Sequence, residues 1–265
     1  MTSISTREAT TVLVSGGADG IGRRIAESFL AAGASAHICD SSQPNIDAFL
    51  AANPQASATL ADISEPEQVE QVFADLRRLD CGLDIIVNNA GIAGPVAGVE
   101  NVTVEEWQRC IDVDLNGLFY MTRMAVPILK KQKSGSIINI ASGAALFGCP
   151  SRSPYVASKW AIIGLTKTWA MELGPYNIRF NAICPGSVAG DRIDGVIERD
   201  AANRGVSTQQ VRDVYLRQSS MRTFVTPDEI AATVGFLASS AGDKISGQTI
   251  AVDGHTESLT NWLDN

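Results

Sequence analysis

Cysteine and histidine are scarce in this sequence. Five cysteines occur among 265 residues, an odd number, widely spaced and without a CxxC pair. The pattern predicts neither a disulfide framework nor a zinc site, and it is typical of a reducing cytosol. The two histidines, His37 and His255, lie far apart and predict no metal site. We therefore expect a cytoplasmic protein without a metal, whose cysteines are Cys39, Cys81, Cys110, Cys149 and Cys184.

Positive charge is also in short supply. Lys and Arg number 21 against 29 Asp and Glu, and the net charge is −8. A nucleic-acid binder needs a basic face to neutralise phosphates, and a membrane-surface protein needs a polybasic segment, so neither class is expected. The sequence has no apolar run of about 20 residues that could span a membrane. Its first residues lack the basic and apolar pattern of a secretory signal peptide. The expected partner is a small molecule.

Short apolar runs alternate regularly with longer amphipathic patterns along the chain. Such alternation predicts right-handed βαβ units and a parallel sheet. We predict one doubly wound, Rossmann-type α/β domain over 1–265, with about seven strands and helices on both faces. Strands are predicted at 11–17, 35–40, 58–62, 83–91, 134–143, 177–186 and 248–254. Helices are predicted at 20–32, 45–52, 65–79, 104–115, 117–131, 154–173 and 227–239.

The segment 187–226 interrupts this alternation. It is polar, has only weak helical patterns and follows the carboxyl end of a predicted strand. Ligands of open α/β sheets bind beyond the carboxyl ends of the strands. We predict that this segment is a lid that closes over bound ligands. A permanently packed subdomain is the alternative.

A glycine-rich turn joins the first predicted strand to the first helix. It reads Ser-Gly-Gly-Ala-Asp-Gly-Ile-Gly over 15–22. Glycines let backbone N–H groups approach a pyrophosphate, and the helix N-terminus adds its dipole. The turn therefore predicts a dinucleotide site that includes Gly16, Asp19, Gly20, Ile21 and Gly22.

An acidic residue ends the second predicted strand. Asp40 follows the glycine turn by about 20 residues, the spacing at which a carboxylate accepts hydrogen bonds from the adenosine ribose. This carboxylate would repel the 2′-phosphate of NADP, and the next residues are serines. Arg23 and Arg24 favour NADP instead, so we predict NAD with NADP as the alternative.

A tyrosine and a lysine stand four residues apart in the helix predicted at 154–173. Tyr155 and Lys159 therefore share a helix face. An isolated tyrosine is a poor base at neutral pH, but a neighbouring ammonium favours the phenolate. Tyr155 could then take an alcohol proton as hydride leaves the carbon. Ser142, at the end of the fifth strand, could hydrogen-bond the substrate oxygen.

Taken together, these motifs resemble the classical short-chain dehydrogenase/reductase family over about 10–254. The resemblance rests on the glycine turn, Asp62 after the third strand, NNAG at 88–91, DVDLNG with Asn116, Ser142, the YxxxK pair and Pro185-Gly186. It implies that Asn116 completes the catalytic set by holding a water that links Lys159 to solvent.

The same resemblance implies the remaining cofactor contacts. Asp62 and the backbone of Ile63 would contact the adenine. The cofactor would also touch Asn88, Ala90, Gly91, Tyr155, Lys159, Pro185, Gly186 and Val188. Asn88 could equally be a structural bridge between strands.

The substrate pocket is predicted less sharply than the catalytic residues. Arg152 precedes Tyr155 by three residues, and Arg192 opens the lid segment. Either could bind an anionic group of a substrate, or could form a surface or inter-subunit salt bridge. The predicted pocket residues are Gly94, Gly143, Ala144, Phe147, Cys149, Arg152 and Arg192.

We predict an NAD-dependent oxidoreductase that interconverts a secondary alcohol and a ketone. An NADPH-linked 3-oxoacyl-type reductase is the alternative within the enzyme class, and an NAD-binding sensor is the alternative outside it. The helix at 154–173 has apolar residues on more than one face, and members of the family usually pair this helix with a symmetric copy. We therefore expect a homotetramer, with a dimer as the fallback.

Overall fold

The computed structural model describes residues 10–79 and 82–260. Cys81 and the first residues, considered above, lie outside the described residues. Within those ranges seven parallel strands form one sheet in the order β3-β2-β1-β4-β5-β6-β7. The strands are β1 (Thr11–Ser15), β2 (Ser35–Asp40), β3 (Ser57–Leu60), β4 (Ile85–Asn88), β5 (Gly135–Ile140), β6 (Ile178–Pro185) and β7 (Thr249–Val252). The strand order reverses at β1, which is flanked by β2 and β4, as in a doubly wound fold.

Helices cover both faces of the sheet, as the alternation predicts. The first helices are α1 (Gly20–Ala31), α2 (Gln43–Ala52), α3 (Pro66–Arg78), α4 (Val104–Ile111) and α5 (Gly117–Gln132). They are followed by α6 (Ser153–Leu173), α7 (Asp191–Arg204), α8 (Thr208–Arg217) and α9 (Pro227–Ala238). No helix in the described part of the chain is long and apolar enough to cross a membrane.

Two apolar layers hold the helices on the sheet. Successive side chains of a strand point to opposite faces, so Val12 and Val14 of β1 pack on one side and Leu13 on the other. The first layer includes buried residues of α1, α2 and α9, and the second includes those of α3, α5 and α6. Because both faces are covered, the strands are nearly continuous apolar runs, which is why they could be recognised in the sequence.

Several predicted boundaries need correction. The third strand was expected at 58–62 and lies at Ser57–Leu60, and the fourth is shorter than 83–91. The helices predicted at 104–115 and 117–131 are joined by a π-helical turn at Asp112–Asn116. Such turns change which side chains face inward and frequently occur at functional sites.

The segment 187–226 contains two ordered helices, α7 and α8. Ile197, Ala201 and Val211 form a small apolar cluster between them. A backbone hydrogen bond from Val225 to Ser187, 2.9 Å, closes the two ends of the segment together. The sequence predicted little core of its own here, whereas the structure shows a small one.

Candidate active site

A single cavity of about 970 Å³ lies at the carboxyl ends of the strands. It brings together most of the residues predicted from the sequence. The predicted residues that line it are Gly16, Asp19, Gly20, Ile21, Asp40, Asp62, Ile63, Ala90, Gly91, Gly94, Ser142, Gly143, Ala144, Cys149, Arg152, Tyr155, Lys159, Pro185, Gly186, Val188 and Arg192. Four of the predicted site residues do not line the cavity in the described structure, namely Gly22, Asn88, Asn116 and Phe147.

The glycine turn is shaped by close backbone contacts. Gly16 has a φ of +59°, a conformation that a side chain rarely adopts. A Cβ on Gly22 would lie 2.0 Å from the Gly16 carbonyl oxygen, so only glycine fits there. Gly22 thus allows the first turn of the helix to pack closely against the Gly16 backbone, although Gly22 does not itself line the cavity. Asn89, which sequence reasoning did not single out, donates its side-chain amide to the Ser15 and Gly16 carbonyls at 3.0 and 2.9 Å.

The carboxylate of Asp40 stands beside this turn. Its Oδ2 accepts the Ala18 N–H at 3.2 Å, and its Oδ1 accepts the Ser42 N–H at 3.0 Å. Arg23 and Arg24 are held elsewhere. Arg23 pairs with Glu27 at 2.8 Å, and Arg24 pairs with Asp228 at 2.5 Å. Neither arginine is among the described residues that line the cavity, and both are paired with carboxylates.

A second carboxylate, Asp62, lies further along the same wall. Burial would raise its pKa, but hydrogen bonds from Ser64 and from Arg109 outweigh that effect and lower the pKa below its usual value. The Arg109 Nη2 lies 2.6 Å from the Asp62 Oδ2. Arg109 also lines the cavity, and no sequence pattern pointed to it, because the contact bridges positions 62 and 109.

Asn88 has a structural position. Its side-chain amide donates to Thr122 Oγ1 at 3.1 Å and to Asn139 Oδ1 at 2.9 Å, and the residue is buried. The side chain therefore joins β4 to α5 and β5. The alternative of a structural bridge describes its side chain better than the predicted cofactor contact.

The predicted proton-transfer residues lie together on one side of the cavity. Lys159 Nζ is 5.5 Å from the centroid of the Tyr155 ring and donates to the Ile140 carbonyl at 3.4 Å. Ser142 Oγ accepts the Ala144 N–H at 3.1 Å, which leaves the hydroxyl hydrogen as a donor. Tyr155 and Lys159 come from α6, and Ser142 follows β5, so two neighbouring elements present the three side chains to one space.

Asp114, not Asn116, stands beside the lysine. Asn116 donates its amide to Asp112 Oδ1 at 2.8 Å and does not face the described cavity, so the structure does not support its predicted catalytic role. Asp114 Oδ2 lies 3.7 Å from Lys159 Nζ, with both side chains buried. Its Oδ1 accepts the Ile92 N–H at 2.7 Å. The π-helical turn holds Asp114 inward, and this turn was not visible in the sequence.

Small residues and two arginines also line the cavity, and Arg152 lies close to the Tyr155 ring. Gly94, Gly143, Ala144 and Cys149 line it, together with Arg152 and Arg192. Burial raises the pKa of the Cys149 thiol, despite the nearby Arg152, so the thiol is neutral at ordinary pH. Phe147 was predicted to line the substrate pocket, but it is not among the described residues that line the cavity. In residues 10–79 and 82–260, no group of three His, Cys, Asp or Glu side chains is arranged to hold a metal.

The fold and the site define an oxidoreductase class. The family model described as "Enoyl-(Acyl carrier protein) reductase" matches residues 16–255. The chain belongs to the short-chain dehydrogenase/reductase family, whose members are NAD(P)-binding oxidoreductases acting on hydroxyl and keto groups.

Individual relatives cover nearly the whole chain. The 3-oxoacyl-(acyl-carrier-protein) reductase of Thermotoga maritima is 32% identical, over 93% of this chain and 97% of its own. The D-beta-hydroxybutyrate dehydrogenase of Cupriavidus necator is 36% identical, over 92% and 96%. The solved structure of an NAD+-bound xylitol dehydrogenase superposes with a TM-score of 0.89 at 26% identity, over 93% of this chain and 98% of its own. The relatives share the alcohol/ketone chemistry and differ in substrate.

Proposed function

We propose that this chain is an NAD-dependent dehydrogenase that interconverts a secondary alcohol and a ketone, with Tyr155 as the acid/base. One observation carries the proposal: a single cavity contains both the glycine turn with Asp40 and the set of Ser142, Tyr155 and Lys159. A nucleotide bound along the turn and a substrate bound at Tyr155 would therefore share one space.

The choice of NAD rests on charge. The Asp40 carboxylate is held in place by two backbone N–H groups and would accept hydrogen bonds from ribose hydroxyls. A 2′-phosphate at this place would meet a negative charge. Arg23 and Arg24, which could compensate it, are already paired with Glu27 and Asp228.

The chemical roles follow from the positions of the side chains. A bound nicotinamide supplies the hydride acceptor or donor. Tyr155 takes the proton of the substrate hydroxyl in oxidation and returns it in reduction. Ser142 donates a hydrogen bond to the substrate oxygen, where negative charge develops. Lys159 places a positive charge next to the Tyr155 ring, and Asp114 holds that lysine from the buried side.

The acid/base assignment is tested with Tyr155→Phe, which removes only the hydroxyl. Oxidation of a panel of secondary alcohols, followed by the absorbance of reduced cofactor, should fall by at least about a hundredfold. Cofactor binding should change little, because the glycine turn and Asp40 remain. Tyr176→Phe is the matched control and should leave oxidation unchanged. Lys130 Nζ lies 4.4 Å from the centroid of the Tyr176 ring, but Tyr176 is 40% exposed on the surface. Normal turnover in Tyr155→Phe would refute the assignment. A protein that binds NAD but oxidises and reduces nothing would be a sensor.

The cofactor assignment is tested by titrating NADH and NADPH. NADH should bind more tightly, and Asp40→Ala should narrow the difference between the two affinities. Asp47→Ala, an exposed carboxylate on α2, should leave the difference unchanged. Tighter binding of NADPH to the unaltered protein would favour the NADPH-linked 3-oxoacyl-type reductase.

Two features of organisation belong to the same proposal. We propose that 1–265 is a single NAD(P)-binding domain in which 187–226 closes as a lid, since residues of α7 and α8 line the cavity. A homotetramer is supported by large apolar side chains exposed on α5 and α6, namely Phe119, Trp160 and Met171, exposed by 44, 50 and 81%. A cytoplasmic location remains a prediction from the cysteine pattern.

A further inference from the structure

Arg152 projects into the substrate end of the cavity. It directly precedes α6, and its guanidinium carbon lies 4.9 Å from the centroid of the Tyr155 ring. The charge is therefore close to the hydroxyl that we propose as the acid/base. A substrate bound at Tyr155 would therefore lie close to this guanidinium.

The donors of Arg152 are only partly used by the protein. Its Nη2 donates to the Ala93 carbonyl at 2.8 Å. Its Nε is buried, and within residues 10–79 and 82–260 no acceptor satisfies it. No carboxylate of those residues lies within ion-pair distance of the guanidinium. A buried charged donor without a partner is costly unless a ligand supplies the acceptor.

The neighbouring charges leave the site positive. Arg192 also lines the cavity, with its Nη1 3.5 Å from the Gly91 carbonyl and no carboxylate partner among the described residues. Two buried carboxylates lie nearby, and each faces a cation: Asp200 pairs through Oδ1 with Arg204 at 2.6 Å, and Asp114 Oδ2 lies 3.7 Å from Lys159 Nζ. The Oδ2 of Asp200 has no hydrogen-bond partner among the described residues. Asp191 and Arg192 both lie at the exposed rim, where solvent screens their charges, so the buried part of the excess comes from Arg152. In a chain of net charge −8, this is a local excess of positive charge.

We propose that Arg152, assisted by Arg192, binds a carboxylate or sulfonate group of the substrate. This inference rests on the proposed function and specifies its substrate class as short hydroxy acids and their oxo counterparts. A guanidinium can donate two parallel hydrogen bonds to two oxygens of a carboxylate or a sulfonate. Because Arg152 lies so near the Tyr155 ring, the anionic group is separated from the reacting carbon by only a few bonds.

The test compares acids with neutral analogues of the same length. With NAD, 3-hydroxybutyrate and 2-hydroxypropane-1-sulfonate should be oxidised with a higher kcat/KM than 3-hydroxybutyramide. The expected ratio is about 10- to 150-fold, the range that one hydrogen bond to a charged group supplies. Arg152→Gln should remove this preference mainly through KM, so that the acid and the amide are oxidised with similar kcat/KM. Arg152→Lys should retain part of the preference. Arg77→Gln, an exposed arginine on α3, is the matched control.

Binding without turnover provides a second readout. Calorimetry of the protein with NADH should show tighter binding of butyrate or propane sulfonate than of butyramide, and Arg152→Gln should abolish the difference. The sulfonate and carboxylate arms show which oxyanion is preferred. Equal binding of butyrate and butyramide, or a preference for neutral polyols that Arg152→Gln does not change, would overturn the anion site and leave the proposed function standing. Absence of oxidation with every alcohol would instead refute the proposed function, while the calorimetry would still decide on the anion site.

Discussion

The buried pair of Asp114 and Lys159 makes a strong prediction about stability. Asp114→Ala removes a carboxylate whose side chain is 0% exposed and which lies 3.7 Å from Lys159 Nζ. Lys159 is itself only 5% exposed, and the Ile140 carbonyl at 3.4 Å would be left as its protein acceptor in the described structure. The variant also removes the acceptor of the Ile92 N–H, which bonds Asp114 at 2.7 Å.

The expected loss is large for a single substitution. Removing one partner of a buried ion pair leaves an uncompensated charge, which costs about 3–5 kcal/mol of the free energy of unfolding. Urea denaturation at neutral pH, without cofactor, measures this loss directly. Asp228→Ala provides the contrast, because the pair of Asp228 with Arg24 is 65 and 47% exposed. Its loss should be at most about 1 kcal/mol.

A double-mutant cycle separates the pair from other effects. Lys159→Met removes the charge that Asp114 faces, so combining it with Asp114→Ala should cost less than the sum of the two single losses. The reasoning would be refuted if Asp114→Ala destabilised the protein no more than Asp228→Ala, or if the two losses at 114 and 159 were simply additive.

Three other predictions concern pH, the lid and assembly. Burial lowers the pKa of His37 to about 4. As the pH falls, His37 therefore takes up a proton in the unfolded chain before it does so in the folded protein. About 3 kcal/mol of the free energy of unfolding present at neutral pH should be lost between about pH 6.5 and 4. His37→Gln should flatten that part of the pH dependence in urea unfolding, and an unchanged slope would contradict the assignment. Adding NAD with a substrate analogue should slow hydrogen exchange in 187–226 more than in the central strands, whereas equal protection without ligands would indicate a fixed wall. Light scattering should give about four times the mass of one chain, and a mass near 28 kDa at micromolar protein would refute the homotetramer.

Much of the architecture could be predicted because its signals are local. The strand over Ser35–Asp40 was predicted with its observed bounds, since a run of apolar residues between a glycine and polar residues needs no distant partner to be recognised. The glycine turn, Asp40 and the pair of Tyr155 and Lys159 were also found from short spacings. The parallel sheet then carried these separate positions to the same edge, and all of them line one cavity.

The identity of the lysine's partner was decided only by tertiary structure. Asn116 and Asp114 are two residues apart, and the π-helical turn determines which of them faces Lys159. No local spacing signal in the sequence marks this π turn. For that reason the resemblance favoured the amide, whereas the structure presents the carboxylate.

The charges around the two ends of the cavity show the same division. The sequence by itself determined that Arg24 lies near the glycine turn and that Arg152 lies near Tyr155. It did not determine that Arg24 is paired by Asp228, a residue 204 positions away, nor that no described carboxylate reaches Arg152. The apolar pattern that marks a helix or a strand can be recognised within a few residues. The compensation of a charge depends instead on whatever the folded chain brings within about 4 Å. The fold class therefore followed from the sequence, whereas only the tertiary structure decided which arginine is paired with a carboxylate and which is not.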